Sequence, residues 1–420
     1  MPAVGTRVPA AVVLVGAAAT LLKLVVAART HGTDDVRYWT EFMAGVMHHG
    51  PVGIYGLDGT AALYNHPPLV GWMLLVDGHL ADLGLSTPFL VRVPASVADL
   101  ASTMLVWALV RRVSGDSAAA LAAVAFTLSP LGFVISGFHG NNDPLFAMLV
   151  LAATWLLVTG RSPLIAGVAL GLGVSVKIVA VVALPVLLVL AFRRSRGALL
   201  SLVGGGGIVF LAIWAPALLL EPGGVLHHVL GYAGNDIRQW GLSQLLTWSG
   251  MPTTATVATG DALRFGVVLT AMLVPAALAL APGRSERQLL ACAGLPLVLM
   301  TLLSPSFAMQ YLSWPLAAAY LVAPWAAATT YNALASTYAL LVYSRWNAAP
   351  PWDWDVAFSS VVPGPLLPFM VLAFLALLVV TVRGLHELPV RQSLAAQADR
   401  GRSGLVPVGA RPRPTEDAHV

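Results

Sequence analysis

Charge is scarce in this chain. Only 10% of its 420 residues are Asp, Glu, Lys or Arg, against roughly 25% in an ordinary soluble domain, while 58% are hydrophobic. A single cysteine, Cys292, excludes an internal disulfide and any Cys-rich metal site. Strand-type alternation is missing, which argues against an outer-membrane barrel. No basic stripe interleaved with aromatics is present, so no nucleic-acid partner is expected. The chain also lacks the internal repeat that many transporters carry. What it has instead are apolar runs near twenty residues, recurring along the whole length. They predict an all-α, polytopic transmembrane helical bundle with no room for a large soluble domain.

About twelve spans are expected, near 8–28, 89–110, 118–137, 143–159, 163–177, 178–192, 198–219, 262–281, 287–303, 311–329, 332–345 and 363–382. Arg7, an apolar run and Ala27-Ala28 imitate a secretory signal, but the run is long for a signal core and reads as an uncleaved first span. With the N-terminus inside, Arg111-Arg112, Arg161, Arg193-Arg194-Arg196, Arg284, Arg287 and Arg383 all fall in the cytoplasm, as the positive-inside rule requires. Both termini are then cytoplasmic. Residues 1–383 form the bundle, and 384–420, rich in Arg, Gln, Pro and Gly, read as a disordered tail. The stretch 67–85 is long enough to be mistaken for a span. It carries Asp77, His79 and Asp82, and fits an interfacial helix within a long first external loop, 29–88. A second external loop covers 220–261.

Polar residues then crowd the external face. They include Thr33-Asp34-Asp35, Tyr64-Asn65-His66-Pro67-Pro68, the His139-Gly140-Asn141-Asn142-Asp143-Pro144 turn, Lys177, Asn235-Asp236-Ile237-Arg238, Ser304–Tyr311 and Trp352-Asp353-Trp354-Asp355. Each also has an ordinary reading. Asp34 and Asp35 serve equally as helix caps, and Gly140, Asp143 and Pro144 as a helix stop and restart. Lys177, Lys23 and Asp99 lie within apolar runs. Lys23 is near enough to an end to snorkel, and Asp99 fits a pair inside the bundle. Lys177 is the sharpest outlier, because an ionisable residue at membrane depth is costly. Asp34, Tyr38 and Phe42 recur at helical spacing, which starts a short helix on a carboxylate and lays its aromatic face on the membrane. His227-His228 are adjacent and seldom converge on one ion, so a divalent metal is not favoured. Trp240 and Trp248 read as interfacial anchors. Gly204–Gly207 lack the strand and Lys context of a phosphate loop and read as close helix packing.

In order along the chain, these residues resemble the GT-C superfamily of membrane glycosyltransferases, which use polyprenyl-phosphate sugars. The first loop, Thr33-Asp34-Asp35-Val36-Arg37-Tyr38 through Tyr55 to Tyr64-Asn65-His66-Pro67-Pro68-Leu69, looks like that group's Asp…Tyr…Tyr…Tyr-x-x-Pro-Pro-Leu progression. Arg92…Ala98-Asp99-Leu100, Gly140-Asn141-Asn142-Asp143 and Val176-Lys177-Ile178 with Leu184-Pro185 match its second span, its Asn-Asp turn and its Lys…Leu-Pro element. Ser304-Pro305-Ser306-Phe307-Ala308-Met309-Gln310-Tyr311-Leu312-Ser313-Trp314 is similar to the Ser-Pro-x-Phe-x-x-Gln-Tyr-x-x-Trp element of bacterial members and to an element of the first mannosyltransferase of GPI-anchor assembly.

The resemblance implies inverting transfer of a hexose, mannose first, from a polyprenyl-phosphate donor to a glycan or glycolipid acceptor at the extracytoplasmic face. It requires no cofactor, the lipid-linked sugar being a substrate. Asp34, by its spacing to Tyr38, or else Asp35, would be the base. Lys177, Arg238, Gln310 and Tyr311 would hold the donor phosphate, and Tyr64, His66, His139, Asn142 and Asp143 the sugars. The competing class is a transporter or flippase of lipid-linked sugars, which predicts polar residues at mid-membrane depth and on both faces. A non-catalytic scaffold explains the spans but not Lys177.

Overall fold

The computed structural model describes residues 8–57, 63–232, 238–346, 362 and 364–388, with the side chains of all of these except Asp34, Arg345 and Trp346. Among them every regular element is helical, and Trp240 forms an isolated β-bridge with Phe307. The expected turns at Asn235-Asp236-Ile237 and Trp352–Asp355 lie outside the described residues, as does the tail beyond Leu388.

The helices run in this order: α1 (Ala10–Arg29), α2 (Asp34–Gly53), α3 (Pro68–Asp82), α4 (Val93–Thr127), α5 (Asp143–Val158), α6 (Pro163–Val176) and α7 (Leu184–Arg194). Then come α8 (Arg196–Leu220), α9 (Leu242–Trp248), α10 (Thr253–Leu280), α11 (Glu286–Leu303), α12 (Pro315–Val322), α13 (Trp325–Trp346) and α14 (Leu367–His386). Six segments are long and apolar enough to cross a bilayer: α1, Thr87–Thr127, α8, α10, α11 and Gly364–His386. The chain is a multi-pass membrane protein. Several of the twelve expected spans are shorter helices. The expected 311–329 span is interrupted ahead of Pro324, because proline cannot donate the bond that would continue α12. The expected 178–192 span begins as a 3-10 turn, Ile178–Ala183, before α7. α4 runs through the expected 111–117 loop, but Gly115 at φ 80° breaks it into two rods, a conformation only glycine adopts cheaply.

Packing explains much of the glycine and small-residue content. α6 crosses α8 so closely that a Cβ at Gly167 would sit 2.0 Å from the Leu202 carbonyl oxygen, and one at Gly205 2.1 Å from that of Leu164. Lys23 does not snorkel. It is 2% exposed and ion-paired with Asp99, whose Oδ2 also accepts from Ser136 Oγ at 2.6 Å. A buried ammonium is tolerable only with such a partner, and the polar carboxylate in α4 supplies it.

The stretch expected as the first external loop contains α2 and α3, packed on each other. Their aromatic side is not laid on the membrane as the helical spacing suggested. Trp39, Phe42, Tyr55 and Tyr64 are buried in a second hydrophobic core with Val46, Ile54, Val70 and Trp214. Trp240 likewise is no interfacial anchor. It is fully buried, stacked on Phe307 at 6.1 Å, and donates to the Thr301 carbonyl at 3.0 Å.

The arginine-bearing loops meet one another at one end of the bundle. Arg112 pairs with Glu286, and Arg287 Nε with Glu387 Oε2 at 2.6 Å. Arg193 donates to the Ala279 and Ala281 carbonyls at 3.1 Å, and Arg284 to that of Leu388 at 2.6 Å. Cations on carbonyls past a helix C-terminus satisfy groups the helix leaves unpaired. The opposite end of α1 and of α6 carries a different set of polar groups.

Candidate active site

α1 ends at Arg29, and the chain turns through Thr33 straight into α2. The turn is fixed by Arg92, which is fully buried just ahead of α4. Its guanidinium donates to the carbonyls of Ala27 at 2.8 Å, Thr30 at 2.7 Å, Phe138 at 3.0 Å and Pro88 at 2.5 Å. Five donors in a planar fork let one side chain tie the end of α1 to the π-helical turn Phe133–His139. That turn closes at Gly140, whose φ of 86° reverses the chain, and a Cβ there would meet Val36 Cγ2 at 2.8 Å. Trp39 Nε1 donates to the Gly140 carbonyl at 2.5 Å, and Thr33 Oγ1 to that of His139 at 2.8 Å. The start of α2 and the His139 turn are thereby one rigid piece.

On it lies a chain of polar contacts. His139 Nε2 is 2.9 Å from Asp35 Oδ2, and His139 Nδ1 is 2.8 Å from the Tyr343 hydroxyl. Beside it is a second set. Lys177, at the C-terminal end of α6, places Nζ 3.1 Å from Asp143 Oδ1. This is an ion pair only, for no hydrogen bond reaches that oxygen. Asp143 Oδ2 accepts from Trp314 Nε1 at 2.7 Å, and Lys177 also sits over the Tyr311 ring at 4.8 Å. Tyr311 stacks on Trp314 at 4.6 Å. His66 stacks on Trp39 at 4.3 Å, with its carbonyl accepting from Tyr55 Oη at 2.6 Å.

The charges of these groups reach one another. Burial pushes the Asp35 carboxyl up, but His139 beside it, with Lys177 and His66, outweighs that and holds it below its ordinary value. The His66 imidazole is pushed down to about 3 by burial, with Lys177 acting in the same direction, so it is neutral over the physiological range.

Of the residues singled out in the sequence, Asp35, His66, His139, Asp143, Lys177 and Tyr311 are gathered here. The side chain of Asp34 lies outside the described residues, although the backbone places it as the first residue of α2. Asn142 and Gln310 flank the cluster in sequence, and their side chains make no hydrogen bond among the described residues. Tyr64 packs inside the aromatic core under His66, at 5.5 Å between rings. Arg238 has other company. Its Nη1 reaches Thr253 at 3.1 Å and Thr247 at 3.4 Å, and its buried Nε has no hydrogen-bond partner among the described residues. Residues 239–240 instead brace the 304–314 turn, with Gln239 Oε1 accepting from the Met309 amide at 3.0 Å. Three participants were not assigned to the site from the sequence. Tyr343 and Trp39 are aromatics within helices, and Trp314 marks a motif without revealing that its indole holds Asp143.

The family described as dolichyl-phosphate-mannose-protein mannosyltransferase matches residues 65–219. Two solved structures of ArnT from Cupriavidus metallidurans share 16% identity with the chain. The one bound to undecaprenyl phosphate aligns over 96% of this chain and 82% of that one with a TM-score of 0.44, and the apo form over 94% and 81% with a TM-score of 0.42. No curated protein shows a significant match. The matched stretch holds His66, Arg92, the His139–Asp143 turn and Lys177. Over that stretch the chain is similar to this mannosyltransferase family, and the stretch contains the second-span and Asn-Asp motifs singled out in the sequence.

Proposed function

We propose that the protein transfers a hexose, with mannose the first candidate, from a polyprenyl-phosphate donor to a glycan or glycolipid acceptor at the extracytoplasmic face. The observation that carries this reading is the convergence of Asp35, His139, Asp143 and Lys177 at one end of an otherwise apolar bundle, opposite the arginine-rich end. The arginine-rich end faces the cytoplasm under the positive-inside rule, so the cluster faces outward. An apolar molecule of this kind also suits a donor whose lipid chain stays in the bilayer.

In the proposed reaction the acceptor hydroxyl attacks C1 of the sugar from the face opposite the phosphate. A C1–oxygen bond to the acceptor forms as the C1–phosphate oxygen bond breaks. The configuration inverts, polyprenyl phosphate leaves, and the hydroxyl proton passes to a carboxylate. Asp34 is assigned that role. Asp35 is committed to His139 and held low, which makes it the weaker base, whereas its neighbour carries the spacing to Tyr38 noted above. Lys177 meets the charge that develops on the leaving phosphate. Its side chain is 19% exposed, and Asp143 and Tyr311 hold it in place. Asn142, Gln310 and His66 are left to meet sugar hydroxyls. The reading calls for no cofactor.

The test is incubation of the purified protein in lipid with a panel of polyprenyl-phosphate sugars. Release of polyprenyl phosphate with one hexose donor, and an inverted anomeric centre in the product, is the expected result. No release from any donor in the presence of membrane glycan acceptors contradicts the reading.

A further inference from the structure

The hydroxyl of Tyr343 lies 2.8 Å from His139 Nδ1, on the side of the ring away from Asp35. Tyr343 comes from α13, some two hundred residues later in the chain, and is 1% exposed. Its ring meets the imidazole edge-on, at 5.7 Å and 73°. With Asp35 ionised and His139 neutral, the hydrogen-bond inventory gives the roles. An ionised Asp35 only accepts, so His139 Nε2 must carry a hydrogen to bond it. The other nitrogen of a neutral imidazole then offers a lone pair. Thr33 Oγ1, 3.5 Å from Nδ1, spends its own hydrogen on the His139 carbonyl. That leaves the Tyr343 hydroxyl as the donor to Nδ1.

We propose that Tyr343 is a positioning residue for the transfer reaction: it fixes His139 in the neutral Nε2–H tautomer and so holds Asp35 oriented beside Asp34. This rests on the proposed function for its catalytic meaning, but not for its geometry. The partner of one imidazole nitrogen determines which proton the other presents. The His139 backbone is already anchored through Arg92 and Thr33, so only the ring's rotation and tautomer remain for Tyr343 to set. The other titratable groups around the pair are His66 ahead of α3, Asp143 opening α5, Lys177 ending α6 and Tyr311. Among the described residues, none of these hydrogen-bonds to Nδ1.

The experiment uses the full-length protein with 15N-labelled histidine, the His139 signal being identified by its loss in His139→Gln. The wild type should show the ring-nitrogen shifts of an Nε2–H imidazole at neutral pH. Tyr343→Phe keeps the ring and removes the oxygen, and should give averaged shifts of a mixed tautomer. With the lipid donor, Tyr343→Phe should lower kcat about tenfold, the size of one lost hydrogen bond, and change KM less than twofold. Tyr343→Leu, which also removes the ring, should show the same loss or more. Unchanged His139 shifts in Tyr343→Phe overturn the proposal. So does a Phe variant with wild-type turnover beside an inactive Leu variant, since the ring alone would then matter. A wild type that transfers no sugar defeats the proposed function instead, and leaves the tautomer result standing.

Discussion

Two acidic residues in the cluster face different partners, His139 and Lys177, and each gives a separable expectation. Asp35 has a carboxyl held below its ordinary value of 3.8, with burial opposing and His139 leading the effects that lower it. A depressed carboxyl contributes stability that is present above its unfolded value and is lost as pH falls through the folded one. Asp35→Asn removes that contribution, so the Tm gap between wild type and variant should narrow as pH drops from 7 towards 3. A gap that widens in acid would mean that the pair with His139 is not stabilising. Asp143 is a harsher case, because its side chain is wholly buried and Lys177 is its counter-ion. Lys177→Met leaves that carboxylate facing only Trp314, and breaking a buried pair from one side costs about 3–5 kcal/mol. The double variant Lys177→Met/Asp143→Asn should recover most of the Tm in thermal unfolding, but not the transfer activity. Recovery of both would make the pair purely structural. The sequence showed that Lys177 was out of place in an apolar run, because burying a lone ammonium is so costly. It could not show that Asp143, 34 positions earlier, answers it.

Helix contacts were legible where composition forces them. The run Gly204–Gly207 read as a packing surface, and Gly205 indeed faces the Leu164 carbonyl across the α6–α8 crossing. Gly204, next in the chain, faces open space. Gly205→Val should therefore destabilise the protein by about 1–3 kcal/mol, the usual cost of overpacking, and Gly204→Val should leave Tm within a degree or two. Equal effects of the two would place the crossing elsewhere. Element boundaries were less legible where backbone chemistry interrupts an apolar run. Pro324 and the 3-10 turn after Lys177 cut stretches that hydropathy reads as continuous. The aromatic side of α2 was assigned to lipid because spacing shows that a face is apolar, not what covers it. Here the cover comes from α3 and from Tyr55, Tyr64 and His66, through contacts that no local pattern encodes.

At the scale of the whole molecule, a sealed interior ion pair lies between two polar ends. Lys23, Asp99 and Ser136 form the interior site, and with Lys23 2% exposed they offer no passage, unlike the open mid-depth groups a transporter needs. The sidedness has its own check. In a Cys292→Ala background, Ser249→Cys, exposed near the start of α10, should react with a membrane-impermeant thiol reagent added outside, and Ser114→Cys at the arginine-rich end should not. Labelling of Ser114→Cys from outside reverses the orientation. The gathering of first loop, Asn-Asp turn and Lys177 at one end was foreseeable from the alternation of spans. The Asp35–His139–Tyr343 contacts were not, because they depend on side-chain directions fixed only when α13 packs against the His139 turn. The most direct test of the central claim is a single-turnover measurement of polyprenyl phosphate release from the lipid-linked hexose, comparing wild type with Asp34→Asn and Asp35→Asn. Loss of release in Asp34→Asn with donor binding retained, and a partial loss in Asp35→Asn, is the predicted result. Wild-type release in both variants would contradict it.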